Sequence, residues 1–248
     1  MTGLEAQGIV KRYGGLTVAD RVDLALPPGR RVALIGPNGA GKTTLADILT
    51  GITAPSAGRV LLDGADITAL DEARRVRAGI AKTFQITALF PGLSLRDNLR
   101  LALIERRRES WRPFARVGEN PEVEAEAAAL LADFDLTGAA DRRTGDLPYG
   151  AQRLADIALA LALRPRVLIL DEPSAGVPAG ERARLLDVLA ALPSDLAVLI
   201  IEHDMDLVFR LAERIVVLVE GAVLAEGPPE AIAADARVRE LYLGARHG

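Results

Sequence analysis

Gly36-Pro37-Asn38-Gly39-Ala40-Gly41-Lys42-Thr43 lies between the apolar run Arg31-Val32-Ala33-Leu34-Ile35 and the helix-like stretch Thr44-Leu45-Ala46-Asp47-Ile48-Leu49. The pattern G-x-x-x-x-G-K-[ST] between a strand and a helix restricts the fold to those that place a glycine-rich loop at the end of a core strand. Glycines let successive backbone N–H groups wrap β- and γ-phosphates, and the helix that follows points its positive end at them. Lys42 supplies a point charge, Thr43 a hydroxyl for Mg²⁺, and Thr44 continues the first turn. A glycine-rich turn could carry the bare pattern; the flanking strand and helix make it a nucleotide site.

With 248 residues, half of them hydrophobic, the chain can bury a large core as one domain carrying an inserted lobe. It has no cysteine, which excludes disulfides, thiolate metal sites and cysteine nucleophiles together and allows a reducing, cytoplasmic location. Met1 to Glu5 shows no secretory signal, and no apolar run reaches the roughly 18 residues needed to span a bilayer, so a membrane role requires a partner. The net charge of −4 argues against broad nucleic-acid binding. Lysine stands only at Lys11, Lys42 and Lys82, leaving 27 of the 30 basic residues as arginine. Against that bias, a lysine inside the phosphate loop is informative.

Periodicity organises the rest. Residues 3–35 read as short strands with a turn at Pro27-Pro28-Gly29; Arg59 to Leu62 is a strand, Asp71 to Arg77 a short helix, and Gly79 to Phe84 a strand ending at Gln85. From about Ser94 to Leu163 the spacing turns helical, which predicts an inserted helical lobe. Arg166 to Leu170 and Leu196 to Ile201 are apolar on both faces, as buried parallel strands require. Ile215 to Leu218 and Ala222 to Ala225 read as a closing hairpin around Glu220-Gly221. The expectation is an α/β fold over residues 3–248: a mainly parallel core sheet, an N-terminal antiparallel β region, and a helical lobe at about 94–163.

Asp171-Glu172 follows a core strand directly, at the carboxyl end where open α/β sheets bind ligands. Asp171 can hold Mg²⁺ through water, and Glu172 can orient and deprotonate the water that attacks a γ-phosphate. Alone, the pair would read as a solvated strand-end cap. His203 ends the next strand, where a ring nitrogen can hydrogen-bond a γ-phosphate oxygen or hold the attacking water; His247 lies near the terminus. Gln85 offers an amide oxygen to Mg²⁺ and an N–H to water. Tyr13 can stack on a purine or serve as an ordinary strand tyrosine.

With these residues placed, the chain resembles the ATP-binding subunits of ABC transporters over essentially its full length: a P-loop NTPase with Tyr13 at the adenine-stacking position, Gly36 to Thr43 as Walker A, Gln85 as the Q-loop, Val167 to Glu172 as Walker B and His203 as the switch histidine. The resemblance assigns Leu147-Pro148-Tyr149-Gly150-Ala151-Gln152 to the signature motif, opening a helix with Leu154, Ile157, Ala158 and Leu161 on one face. It implies bound ATP and Mg²⁺ and a head-to-tail pairing with a second ABC ATPase subunit, identical or different. Each ATP would lie between one subunit's Walker A and the other's signature. It further implies transmembrane permease subunits, an extracytoplasmic substrate-binding protein as an indirect partner, and a peripheral place at the inner face of the membrane. Gly79 to Gln85, Leu89-Phe90-Pro91-Gly92-Leu93, Leu147 to Gly150, Ile201 to Met205 and Leu241 to Gly244 resemble the branched-chain amino acid importer type. Glu105 to Asn120 resembles an extra segment of such subunits, or is a solvated basic loop.

The usual signature reads Leu-Ser-Gly-Gly-Gln; here Pro148 replaces the serine, Tyr149 a glycine and Ala151 the glutamine, and Pro178 stands where the D-loop usually has Asp or Asn. These changes predict a slower composite site wherever this signature acts. Competing readings are an amide- or urea-type transporter ATPase, a soluble ABC-type ATPase of assembly or repair, and a regulatory nucleotide switch. The substrate is not written in the sequence, because this type of subunit does not touch it.

Overall fold

A computed structural model describes residues 3–83, 89–107 and 120–243; Gln85, His247 and most of the Glu105 to Asn120 segment lie outside them. Backbone proximity groups the described residues into two units, one of 3–82, 166–173 and 192–243, the other of 83, 89–107, 120–165 and 174–191.

The first unit opens with β1 (Leu4–Tyr13) and β2 (Leu16–Leu26), an antiparallel hairpin joined at Gly14-Gly15. β3 (Arg31–Ile35) leads through the glycine-rich loop into α1 (Lys42–Thr50). After it come β4 (Ala57–Leu62), β5 (Ala65–Asp66), α2 (Glu72–Arg77) and β6 (Ile80–Lys82). The chain re-enters this unit as β7 (Val167–Asp171), and later as β8 (Ala197–Ile201), α7 (Met205–Leu211), β9 (Arg214–Val219), β10 (Ala222–Gly227), α8 (Pro229–Ala234) and α9 (Ala236–Leu243). A four-stranded antiparallel sheet runs β2-β1-β4-β5, and a six-stranded sheet runs β10-β9-β3-β8-β7-β6. In the second sheet β9, β3, β8, β7 and β6 are parallel and β10 is an antiparallel edge. β6 is shorter than the apolar run predicts and stops at Lys82, with Thr83 outside it.

The two-residue period of β3 explains its position at the centre. Val32 and Leu34 join the inner core with Leu45, Ala46, Ile48 and Leu49 of α1 and with apolar residues of the antiparallel sheet. Ala33 and Ile35 face the opposite way, into a cluster with Val208 of α7, Ile232 of α8 and Val238 of α9. A strand apolar on both faces is covered on both faces. α1 is held at its far end by Arg75 of α2, fully buried, whose guanidinium donates to the carbonyls of Ile48, Leu49, Thr68 and Leu70. Arg75→Leu leaves those acceptors without their donor and is expected to cost about 2–4 kcal/mol, read as a lower urea midpoint. Arg75→Lys should recover only part, because an ammonium cannot span the same fork.

The second unit carries α3 (Leu95–Arg107), α4 (Pro121–Asp133), α5 (Tyr149–Ala162) and α6 (Ala179–Ala190). Leu95, Leu99 and Leu103 recur at fourfold spacing and are buried, as are Val123, Ala127 and Leu131 of α4 and Leu154, Ile157 and Ala158 of α5. Leu161 is half-buried. Arg100 pairs with Glu124, and Arg106 with Glu126 at 2.7 Å, tying α3 to α4. Three arginines around Glu126, Arg106 foremost, hold its carboxyl down at about 2.

Candidate functional site

Parallel pairing puts the carboxyl ends of β3, β7 and β8 on one edge of the six-stranded sheet: Leu34 and Asp171 both lie opposite Ile201. The glycine-rich loop, Asp171-Glu172 and Glu202-His203 leave the sheet there, where a doubly covered sheet opens toward ligand.

Backbone crowding dictates the glycines. Gly36 has φ 156°, and a Cβ on it would lie 2.1 Å from the Leu218 carbonyl of β9. Gly41 has φ 101°, and its Cβ would lie 2.4 Å from the Val18 carbonyl of β2. The loop closes with Ala40 N–H donating to the Pro37 carbonyl at 3.2 Å and is stitched to the β9–β10 turn by Gly221 N–H donating to the Ala40 carbonyl at 3.0 Å. Gly36, Ala40 and Gly41 are buried, whereas Pro37, Asn38, Gly39 and Thr43 are exposed and Thr44 half-buried. α1 then starts with no side-chain cap and no acidic residue in its first turn, so its first N–H groups and positive end stay available to an anion.

Lys42 is buried at the start of α1, and its Nζ donates to the carbonyls of Gly36 at 2.7 Å and Pro37 at 2.9 Å. Burial lowers the pKa of its ammonium, while the nearby charges of Glu172 and then Asp171 pull it back up. The loop lysine and both strand-end carboxylates thus share one neighbourhood.

Asp171 is 2% exposed, and its Oδ2 lies 3.1 Å from Nζ of Lys82 on β6, which in turn sits 2.8 Å from Oδ1 of Asp47 on α1. Glu172 is half-buried and adopts left-handed backbone geometry at φ 48°, fixed by its N–H donating to the Ile201 carbonyl at 2.9 Å. A non-glycine residue held there costs of order 1 kcal/mol or more, and such strain collects where a side chain must be aimed.

His203 is 63% exposed, next to the wholly buried Glu202. One Glu202 oxygen accepts from the N–H groups of His203 at 2.8 Å and Asp204 at 3.1 Å and lies 3.7 Å from His203 Nδ1. Asp204 caps α7 by accepting from the N–H of Asp206 and Leu207. The imidazole is therefore presented to solvent from a turn that a buried carboxylate organises.

Tyr13 is exposed at the end of β1, with the Lys11 ammonium 4.8 Å from its ring centre. The signature residues lie in the other unit. Pro148 is the N-cap of α5 and offers no side-chain cap, Gly150 and Ala151 follow in the first turn, and Gln152 folds back to donate to the Leu147 carbonyl at 2.9 Å. The Tyr149 ring packs on Gly176, where an added Cβ would approach it to 2.9 Å, and Glu181 of α6 fills the space beside Gly150.

Among the described residues no cluster of His, Cys, Asp and Glu could hold a metal by itself. The Thr43 hydroxyl and Asp171 carboxylate are hard oxygen donors of the kind Mg²⁺ accepts alongside phosphate oxygens and water. Nothing local in the sequence assigns a role to Lys82, Asp47 or Glu202; the one available signal is that Lys82 is one of only three lysines beside 27 arginines.

The family described as "ABC transporter" matches residues 19–175 of the chain. The chain belongs to the ABC transporter family. A second family, described as "Branched-chain amino acid ATP-binding cassette transporter", matches residues 222–248. As an ABC ATP-binding subunit the chain binds and hydrolyses ATP and associates with membrane permeases. Among the described residues no helix is long and apolar enough to cross a membrane. The chain is 39% identical to the high-affinity branched-chain amino acid transport ATP-binding protein BraF of Pseudomonas aeruginosa, over 97% of each chain. It is 36% identical to LivG of Escherichia coli, again over 97% of each. The structure of MJ1267, an ATP-binding cassette of an ABC transporter, matches at TM-score 0.87 and 29% identity, covering 98% of this chain and 99% of that one. MJ0796, solved as a dimer bound to ADP and phosphate, matches this ABC subunit at TM-score 0.77 and 26% identity, over 91% and 98% of the two chains.

Proposed function

We propose that this ABC subunit powers the import of branched-chain amino acids by Mg²⁺-dependent ATP hydrolysis, paired with a second cassette and served by an extracytoplasmic binding protein. One observation carries the catalytic half: Lys42, Asp171 and Glu172 share one neighbourhood at the sheet edge where the phosphate loop begins α1. The relatives BraF and LivG, both named for branched-chain amino acid transport, support the substrate.

Loop N–H groups and the start of α1 bind the β- and γ-phosphates, and Lys42 exchanges the Gly36 and Pro37 carbonyls for phosphate oxygens. Tyr13 stacks on the adenine with the ring face that Lys11 leaves open. Thr43, Asp171 and Gln85 would hold the metal, which would neutralise charge on the phosphate oxygens. Glu172 orients a water and takes its proton as the water oxygen bonds to the γ-phosphorus and the bond to the β–γ bridging oxygen breaks, leaving ADP and phosphate. His203 donates to a γ-phosphate oxygen. Pro148, Tyr149, Gly150, Ala151 and Gln152 act on the partner's ATP, and with neither the serine hydroxyl nor a cap at Pro148 they stabilise its transition state less.

Purified with its permease in lipid vesicles, the complex is expected to hydrolyse ATP only with Mg²⁺ present and faster when a leucine-loaded receptor is added. Turnover that persists in EDTA overturns the metal assignment, and acceleration by an amide- or urea-loaded receptor instead of a leucine-loaded one overturns the substrate.

A further inference from the structure

Lys82 belongs to neither the phosphate loop, the Walker B strand, the signature nor the switch histidine, yet its side chain is only 6% exposed and bridges two acidic groups from different elements: Asp47 Oδ1 at 2.8 Å and Asp171 Oδ2 at 3.1 Å. We propose that Lys82 is a positioning residue for the Mg²⁺–nucleotide site, locking the carboxylate at the end of β7 to the helix that carries Thr43. The inference rests on the reading that Thr43 and Asp171 hold the metal.

Three observations join. Asp47 and Thr43 stand four residues apart on α1 and so occupy the same helical face, which makes a tie to Asp47 a tie to the frame of Thr43. Asp171 is the last residue of a strand buried along its whole length, so its carboxylate is held in a low-dielectric setting where a paired cation fixes orientation strongly. Lys82 is itself the last residue of β6, adjacent to β7 in the sheet, so the backbone delivers the ammonium to the carboxylate without a long free loop. An ammonium can reach two carboxylates that diverge from it, whereas the planar fork of arginine favours one bidentate partner.

Metal sites depend on such outer partners, and losing one typically weakens metal affinity about 10- to 100-fold. The test is thermal unfolding of the purified full chain with ADP, titrated with Mg²⁺ against EDTA. For Lys82→Met, the Mg²⁺ concentration giving half of the added stabilisation is expected to rise about tenfold or more, while ADP affinity in EDTA changes less than about twofold. Asp47→Asn, which keeps the Lys82–Asp171 pair and changes a residue 27% exposed, is expected to shift the same midpoint by a smaller factor and remains informative if Lys82→Met does not fold. Lys82→Arg should restore the midpoint only in part. A lower melting temperature with an unchanged Mg²⁺ midpoint in both Lys82→Met and Asp47→Asn would show a purely structural bridge and overturn the proposal. A wild-type chain whose ADP complex gains nothing from Mg²⁺ would instead overturn the metal reading beneath it.

Discussion

Glu172→Gln is expected to lower ATP turnover by about 10²–10⁴-fold while leaving nucleotide binding intact, because it removes a general base and keeps the shape of the side chain. Glutamine can occupy the left-handed backbone at φ 48° as glutamate does, so the change tests chemistry rather than strain. Single-turnover hydrolysis alongside fluorescent-nucleotide binding checks both halves, and turnover unchanged by the substitution would remove Glu172 from the mechanism. In a pair of non-identical cassettes the same substitution also tests the weakened signature. The site built on Glu172 uses the partner's signature, so losing Glu172 should cost more than losing the partner's glutamate. Equal losses would show that Pro148, Tyr149 and Ala151 impose no asymmetry.

Lys42→Met is expected to weaken nucleotide binding by about 2–3 kcal/mol, roughly 30- to 150-fold, from the charged hydrogen bonds it deletes. Fold stability should change far less. The substitution removes a charge whose burial already lowers its pKa, and its two hydrogen bonds go to carbonyls of the loop itself, that of the buried Gly36 and that of the exposed Pro37. Calorimetric titration with ADP separates the two effects, since a misfolded loop would also lower the melting temperature of the free chain.

What could be read from the sequence was whatever is local in it. The loop from Gly36 to Thr43 needs only its own glycines and a strand before it, and β7 and β8 announce their burial through unbroken apolar runs. Asp71 could be placed at the start of α2 for the same reason: its carboxylate accepts from the N–H of Arg74, three residues on. The parts that stayed hidden are made by residues far apart. Lys82 and Asp47 are separated by 35 positions, and nothing near either one announces the other. Glu202 looked like one more acidic residue beside His203, because its complete burial depends on the sheet around it. Arg75 lies in a stretch with two other arginines, Arg74 and Arg77, and only the carbonyl end of α1 singles it out. Left-handed geometry at Glu172 likewise follows from the bond to Ile201 across the sheet.

Amine chemistry shows what the burial of lysine at one place means for the rest of the molecule. The chain has three side-chain amines, and Lys42 and Lys82 are both enclosed around Asp171. Acetylation, carbamylation or glycation of the native protein therefore finds Lys11 as its outlying side-chain target, beside Tyr13. Lys82, 6% exposed between Asp47 and Asp171, is shielded at the end of β6, and Lys42 is covered when nucleotide is bound. An acyl mark at position 42 or 82 therefore reports on the nucleotide site rather than on the surface.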